Sequence, residues 1–270
     1  WSDDMANYLS VMSYEAGAGF VPQTPMEYDL LSMNALYGGS QANSGNSTHI
    51  LNVEDFSQAN SFGWRIREML HDVSGYDEVR LQSTSITNTD PGVYFNLGAG
   101  NFSNLISHDP IIYDADKYEF GSIYISEATQ IEKLVTTDGH DSVTSLVDWQ
   151  TDIHLGDGDD LLFTAGQGSQ LYGDTGSDTV YFFSDNFDNF AIDADSQNSS
   201  YAKVLNDNEL YCEVSDFEII TLYNMATQTG NTLEWARFLD AYLPPAQNNP
   251  PIFSIPTSIA TDEDTATSAT

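Results

Sequence analysis

Before residue 48, apolar positions recur at helical spacing in one stretch: Met26, Leu30, Met33 and Leu36 lie three or four residues apart, which predicts an amphipathic helix. Thr24, Pro25 and Glu27 form a T-x-x-E capping box with proline at the first helical position, and Gly38 is the stop. From about 48 to 228 the period changes. Short β-type runs take over, among them His49–Val53, Val79–Gln82, Val93–Leu97, Ser122–Ile125, Val180–Phe183 and Glu218–Leu222, separated by Gly, Asn, Asp and Ser. This pattern predicts a mainly β fold: a sandwich, barrel or solenoid. A second helix is expected at Leu233–Leu243, capped by Asn231 or Thr232 and ended by Pro244-Pro245. Residues 246–251 read as a polar, proline-rich linker.

Charge narrows the functions open to such a fold. Forty-one acids against seven Lys and Arg give a net charge of −34, which disfavours a compact state through self-repulsion. The few scattered basic residues exclude nucleic-acid binding by phosphate neutralisation. Either divalent cations neutralise carboxylates, or the surface is adapted to high salt. No run is long enough to cross a bilayer, and Trp1–Met5 has neither the basic nor the apolar region of a signal peptide. The lone Cys212 permits no intrachain disulfide. An exported domain of this size then needs another staple, and calcium is one. Cys212 itself reads as a buried strand residue.

The placement of the acids favours calcium. Leu155-Gly156-Asp157-Gly158-Asp159-Asp160-Leu161-Leu162-Phe163 and Gly173-Asp174-Thr175-Gly176-Ser177-Asp178-Thr179-Val180-Tyr181 both fit the nine-residue pattern G-G-x-G-x-D-x-U-x, which marks calcium-binding parallel β-rolls. Glycines permit turns with positive φ, the aspartate supplies a charged oxygen, and the apolar residue enters a strand. One coil uses two repeats, so Asp160 and Asp178 are placed to share an ion. Between them Gln167, Ser169 and Leu171 keep the apolar position and lose the ligand. A third copy, Asp138-Gly139-His140-Asp141-Ser142-Val143, sits one residue out of phase, as an insertion between coils would make it. Ordinary Asp/Gly turns are the competing reading.

Residues 10–37 carry a resemblance. Ser10-Val11-Met12-Ser13-Tyr14, followed by Thr24-Pro25-Met26-Glu27-Tyr28-Asp29 and a helix ending in Leu36-Tyr37-Gly38, looks like the end of the catalytic domain of the serralysins, a family of metzincin zinc metalloproteases. The resemblance implies that Met12 forms the apolar floor beneath a catalytic zinc, and that Tyr14 ligates the zinc or stabilises the oxyanion. His71-Asp72-Val73-Ser74-Gly75-Tyr76-Asp77 resembles the segment entering that family's calcium-binding domain, making Asp72, Gly75 and Asp77 further candidate ligands. Arg80, where the family tends to have an acid, weakens that site. Val93–Ser103 and Ile123–Glu132 resemble later strands of the same domain. The family's H-E-x-x-H-x-x-G-x-x-H helix is not in the sequence: His49, His71, His108, His140 and His154 belong to no such motif. The resemblance places that helix upstream of Trp1, and each histidine reads as a surface or strand residue.

The expected organisation is the end of a metalloprotease catalytic domain at 1–38, a calcium-binding parallel β-roll or β-solenoid, sandwich-like, at 39–245, and a linker leading into a possible module at 246–270. That tail resembles the opening of cadherin-like modules. The calcium candidates are Asp72, Gly75, Asp77, Gly139, Asp141, Gly156, Gly158, Asp160, Gly173, Gly176 and Asp178. The function expected is the calcium-binding C-terminal region of a secreted bacterial zinc metalloendopeptidase, which would take protein substrates and use dedicated secretion machinery. A non-enzymatic adhesin or surface module is the alternative. A lipase or lyase ranks last, since no G-x-S-x-G elbow is present.

Overall fold

A computed structural model describes residues 20–37, 45–57, 65–72, 74–105, 122–164, 167–184, 190–194, 201–206, 209–224 and 229–234. In chain order the elements are β1 (Phe20–Pro22), α1 (Glu27–Tyr37), β2 (Thr48–Asn52), α2 (Val53–Ser57), β3 (Arg65–Leu70), β4 (Glu78–Gln82), β5 (Pro91–Asn96), β6 (Phe102–Ser103) and β7 (Ile123–Ile125). There follow β8 (Lys133–Val135), β9 (His140–Ser145), β10 (Asp152–His154), β11 (Leu161–Thr164), β12 (Gln170–Tyr172) and β13 (Thr179–Ser184). The last are β14 (Phe190–Ala194), β15 (Tyr201–Asn206), β16 (Glu209–Ser215), β17 (Ile219–Asn224) and β18 (Thr229–Glu234). The fold is mainly β, as the short apolar runs predict.

From β8 to β13 the chain alternates between two sheets. Strands β8, β10 and β12 lie in an eight-stranded sheet ordered β14-β15-β16-β12-β10-β8-β4-β2. Strands β9, β11 and β13 lie in a six-stranded sheet ordered β18-β17-β13-β11-β9-β5. Pairing among these six strands is parallel, so like turns stack. Leu134, Ile153, Leu171 and Val214 from the larger sheet join Val143, Leu162, Val180 and Ile220 from the smaller in one buried cluster. Alternation sends these residues inward and most of their neighbours outward, although Ser142 and Thr144 beside Val143 are buried as well.

Register explains the phase slip of the third copy. Leu161 pairs with Thr179, 18 residues on, whereas Ser142 pairs with Leu161, 19 on. Asp152 likewise pairs with Lys133 at 19 and with Gln170 at 18. The extra residue therefore lies in the connection between β9 and β10, and the turn carrying Asp141 keeps its length.

Two helix expectations need correction. Thr24 does not cap α1. Its hydroxyl accepts a hydrogen bond from the Met69 N–H at 2.8 Å, and Asp29 Oδ2 accepts from the Met26 N–H at 2.9 Å instead. The capping box loses because β3 has a more distant but available donor. Nor does the whole stripe bury: Met26 packs with Met69 and Tyr124, while Met33 is 53% and Leu36 75% exposed. Of the second predicted helix, residues 231–234, including both proposed caps, form strand β18, paired antiparallel with β17. The backbone donors of that segment are used by a sheet edge. Residues 235–243 lie outside the described residues, as do the linker and tail. The antiparallel β14–β15 pair and the short α2 were not anticipated.

Candidate functional site

The turns that deliver the chain into β9, β11, β13 and β17 each place an acid at the strand entrance. Those residues are Asp141, Asp160, Asp178 and Glu218, and they form a ladder. The Val93 N–H donates to Asp141 Oδ1 (2.6 Å), Asp141 N–H to Asp160 Oδ1 (2.7 Å), Asp160 N–H to Asp178 Oδ1 (2.9 Å), and Asp178 N–H to Glu218 Oε2 (2.7 Å). Each carboxylate thus satisfies a backbone donor of the preceding coil.

The second oxygens separate these rungs. Both oxygens of Asp141 are taken, since Thr137 donates through its N–H (2.7 Å) and hydroxyl to Oδ2. Asp160 and Asp178 are 2% and 0% exposed, and Oδ2 of each is buried without a hydrogen-bond partner. A buried carboxylate oxygen with no donor is costly, and a cation is the usual remedy. Burial, reinforced by Asp141, pushes the Asp160 carboxyl up to about 10. Burial with Glu218 nearby pushes Asp178 up to about 8, and burial lifts Asp141 to about 6 despite its hydrogen bonds.

Glycine allows the turns to stack this closely. Gly176 has φ +155°, and an added Cβ would strike the Gly158 carbonyl oxygen. Gly156, at φ +87°, is held against the Thr137 carbonyl, where an added Cβ would also clash. Gly139 and Gly158 are stacked neighbours in the same column: a Cβ on Gly158 would come within 2.7 Å of the Gly139 carbonyl. A Cβ on Gly173 would strike the Asp216 carbonyl and come within 2.8 Å of Asp178 Oδ2. Eight of the predicted ligand positions are therefore gathered along one edge. The donor set is carboxylate plus backbone carbonyl oxygen, the chemistry suited to calcium.

The opposite edge, where turns enter the eight-stranded sheet, has its own ladder. Ser47 N–H donates to Asp77 Oδ1 (2.8 Å) and Asp77 N–H to Glu132 Oε2 (2.7 Å). Further along, hydroxyls replace carboxylates: the Thr151 N–H donates to Ser169 Oγ at 3.1 Å, and the two hydroxyls lie 2.9 Å apart. Ser169 keeps the rung and drops the charge. Asp72, 0% exposed, receives Ser47 Oγ at 2.6 Å on Oδ2, while its Oδ1 is buried and unpartnered. Gly75, at φ +146°, stacks on Gly45. Asp72, Gly75 and Asp77 thus form a second candidate site, separate from the first. Arg80 turns to the outer face of β4 and pairs with Glu78.

Met12, Tyr14 and His108 lie outside the described residues. The other histidines are dispersed. His49 contacts Asp72 (3.3 Å), His71 contacts Ser126 (3.0 Å), His140 Nδ1 accepts from Asp159 N–H (2.7 Å), and His154 stacks on Tyr172. Among the described residues no three His, Cys, Asp or Glu side chains converge as a metal cluster. Calcium shells of one or two carboxylates and several carbonyls would not form such a cluster. Sequence reasoning missed Glu132 and Glu218, whose surroundings carry no glycine repeat; the signal was their position one residue before a strand. Cys212 is buried, as expected, and burial raises its thiol pKa. No helix among the described residues is long and apolar enough to cross a membrane.

No family model matches the chain. No curated protein matches it either.

Proposed function

We propose that this chain is a calcium-binding parallel β-roll module, the C-terminal region of a secreted serralysin-like zinc metalloendopeptidase. The observation that carries the calcium reading is the pair of buried, unpartnered Oδ2 atoms on Asp160 and Asp178 in stacked glycine turns. Calcium supplies the positive charge that these oxygens otherwise lack. Because the ligands come from successive coils, binding and folding are coupled: the chain stays loose where calcium is scarce and closes where it is plentiful. That coupling suits export, and the same ions stabilise the folded product. The protease assignment rests on the Met12–Tyr14 turn and the residues that follow it. Peptide-bond hydrolysis would belong to a zinc-binding helix encoded before Trp1, with Met12 and Tyr14 completing its zinc site.

Thermal melts and far-ultraviolet circular dichroism of the 270-residue chain test the calcium half. Millimolar calcium should raise the melting temperature and the β-signal, and magnesium, which prefers a tighter octahedral shell, should substitute poorly. An unchanged melt would return the charge to salt adaptation. Asp160→Ala combined with Asp178→Ala should remove most of the response. The protease half fails if the reading frame upstream of Trp1 encodes no H-E-x-x-H.

A further inference from the structure

The acidic ladder runs one rung beyond the glycine repeats. Thr179 pairs with Ile219, 40 residues on, so the turn Ser215-Asp216-Phe217-Glu218 stacks on Gly173–Asp178 although it has no glycine and does not fit the nine-residue pattern. Three backbone bonds hold the stack: Gly173 N–H to Ser215 O (2.8 Å), and the Glu218 and Ile219 N–H groups to Asp178 O (3.1 Å each). Asp216 supplies the left-handed residue that glycine supplies elsewhere, at φ 62°, a conformation Asp tolerates better than most side chains. Its side chain accepts a hydrogen bond from Ser215 Oγ at 2.9 Å.

Two oxygens converge over Gly173. Asp178 Oδ2 lies 2.8 Å from the point a Gly173 Cβ would occupy, and the Asp216 carbonyl oxygen lies against the same point. Asp178 is 0% exposed and that oxygen has no hydrogen-bond partner. Glu218 reaches the same rung from the other turn. We propose a further calcium site here, between the last glycine turn and Ser215–Glu218, with Asp178 Oδ2, the Asp216 carbonyl and the Glu218 carboxylate as its protein ligands. Water completes the shell of six to eight oxygens. The site rests on the calcium reading above and extends it: the stack ends on an ion held by a turn that lacks the repeat.

Native mass spectrometry of the 270-residue chain, titrated with calcium chloride from a chelated start, tests it. Glu218→Gln keeps an acceptor for the Asp178 N–H and removes the charge. It should bind one calcium fewer than wild type. Glu209→Gln, which neutralises an exposed acid of β16 outside the proposed shell, should bind the wild-type number. Should Glu218→Gln fail to fold by circular dichroism, Glu218→Asp, which retracts the carboxylate by one methylene, should keep the count but weaken one site about tenfold. A wild-type count in Glu218→Gln, or unchanged affinities in Glu218→Asp, overturns this site alone. A wild-type chain that takes up no calcium overturns the calcium reading and this site with it.

Discussion

Asp160→Asn separates the two jobs given to an acidic rung. Asparagine keeps an oxygen to accept the Asp141 N–H, a bond of 2.7 Å in the wild type, and removes the negative charge. Without calcium, the folded-state pKa of Asp160 is pushed up to about 10 by burial and by Asp141, against roughly 3.9 in an unfolded chain. A raised carboxyl contributes stability that is fully present below the unfolded value and is lost as pH rises towards the folded one. At pH 7 the carboxyl is therefore protonated on folding, at about 1.4 kcal/mol per pH unit above 3.9, or about 4 kcal/mol in all. Asparagine escapes that cost but buries an amide N–H₂ where Oδ2 was unpartnered, a penalty of about 1–3 kcal/mol. In chelator the variant should thus be more stable than wild type by about 1–3 kcal/mol, several degrees in melting temperature. Calcium narrows or reverses the gap. Wild type gains about 2.7 kcal/mol at a hundredfold excess over Kd, and the variant forgoes the part that depends on this carboxylate. The assay is paired urea or thermal unfolding at pH 7 in chelator and in calcium. A variant that is less stable in both media would refute the reasoning, because Asp160 would then be a structural rung and nothing more.

Two further outcomes follow from the same geometry. In chelator, lowering the pH from 7 to 5 should stabilise the chain, since Asp160 and Asp178 have carboxyl pKa values raised to about 10 and about 8; two protons taken up on folding give a slope of up to about 2.7 kcal/mol per pH unit. Calcium should flatten or invert that slope in a pH series of melts. Gly176→Ala combines a φ of +155° with a clash on the Gly158 carbonyl, and should cost about 2 kcal/mol or more in urea unfolding, with most of the calcium response lost; a neutral effect would mean that the turns do not stack as described.

The strands were legible because their apolar residues alternate and their turns are rich in Gly and Asp. The stacking at 18 residues was legible because Asp160 and Asp178 share a phase. The rung at Glu218 was not, because β14, β15 and β16 intervene and spread the repeat to 40 residues. Residues 231–234 misled for a different reason: Asn231 and Thr232 suit a helix cap, but the free edge of β17 offered partners that local preference could not foresee. Thr24 misled likewise, its hydroxyl being claimed by Met69, 45 positions away. Local capping signals predict local bonds; Thr24 is claimed across 45 positions, and residues 231–234 fold back on β17 as a hairpin.

The two edges of the stack show what the carboxylates add. On one edge Asp and Glu accept a backbone N–H from the coil before; on the other, Asp77 and Glu132 do so at first, and further along Ser169 does the same for Thr151 with a neutral hydroxyl. If acceptance alone mattered, hydroxyls would serve at both edges without the burial cost that raises the Asp160 and Asp178 pKa values. The acids are worth that cost only where their second oxygens, unpartnered in Asp160 and Asp178, meet a cation. Calcium dependence should therefore follow the charged rungs and spare the hydroxyl rung at Ser169. Hydrogen exchange read by mass spectrometry tests this: adding chelator should release the amides of Asp141, Asp160 and Asp178 while that of Thr151 stays slow. Equal release of all four would mean that the chain opens as one unit, and that the charged rungs have no separate dependence on the ion.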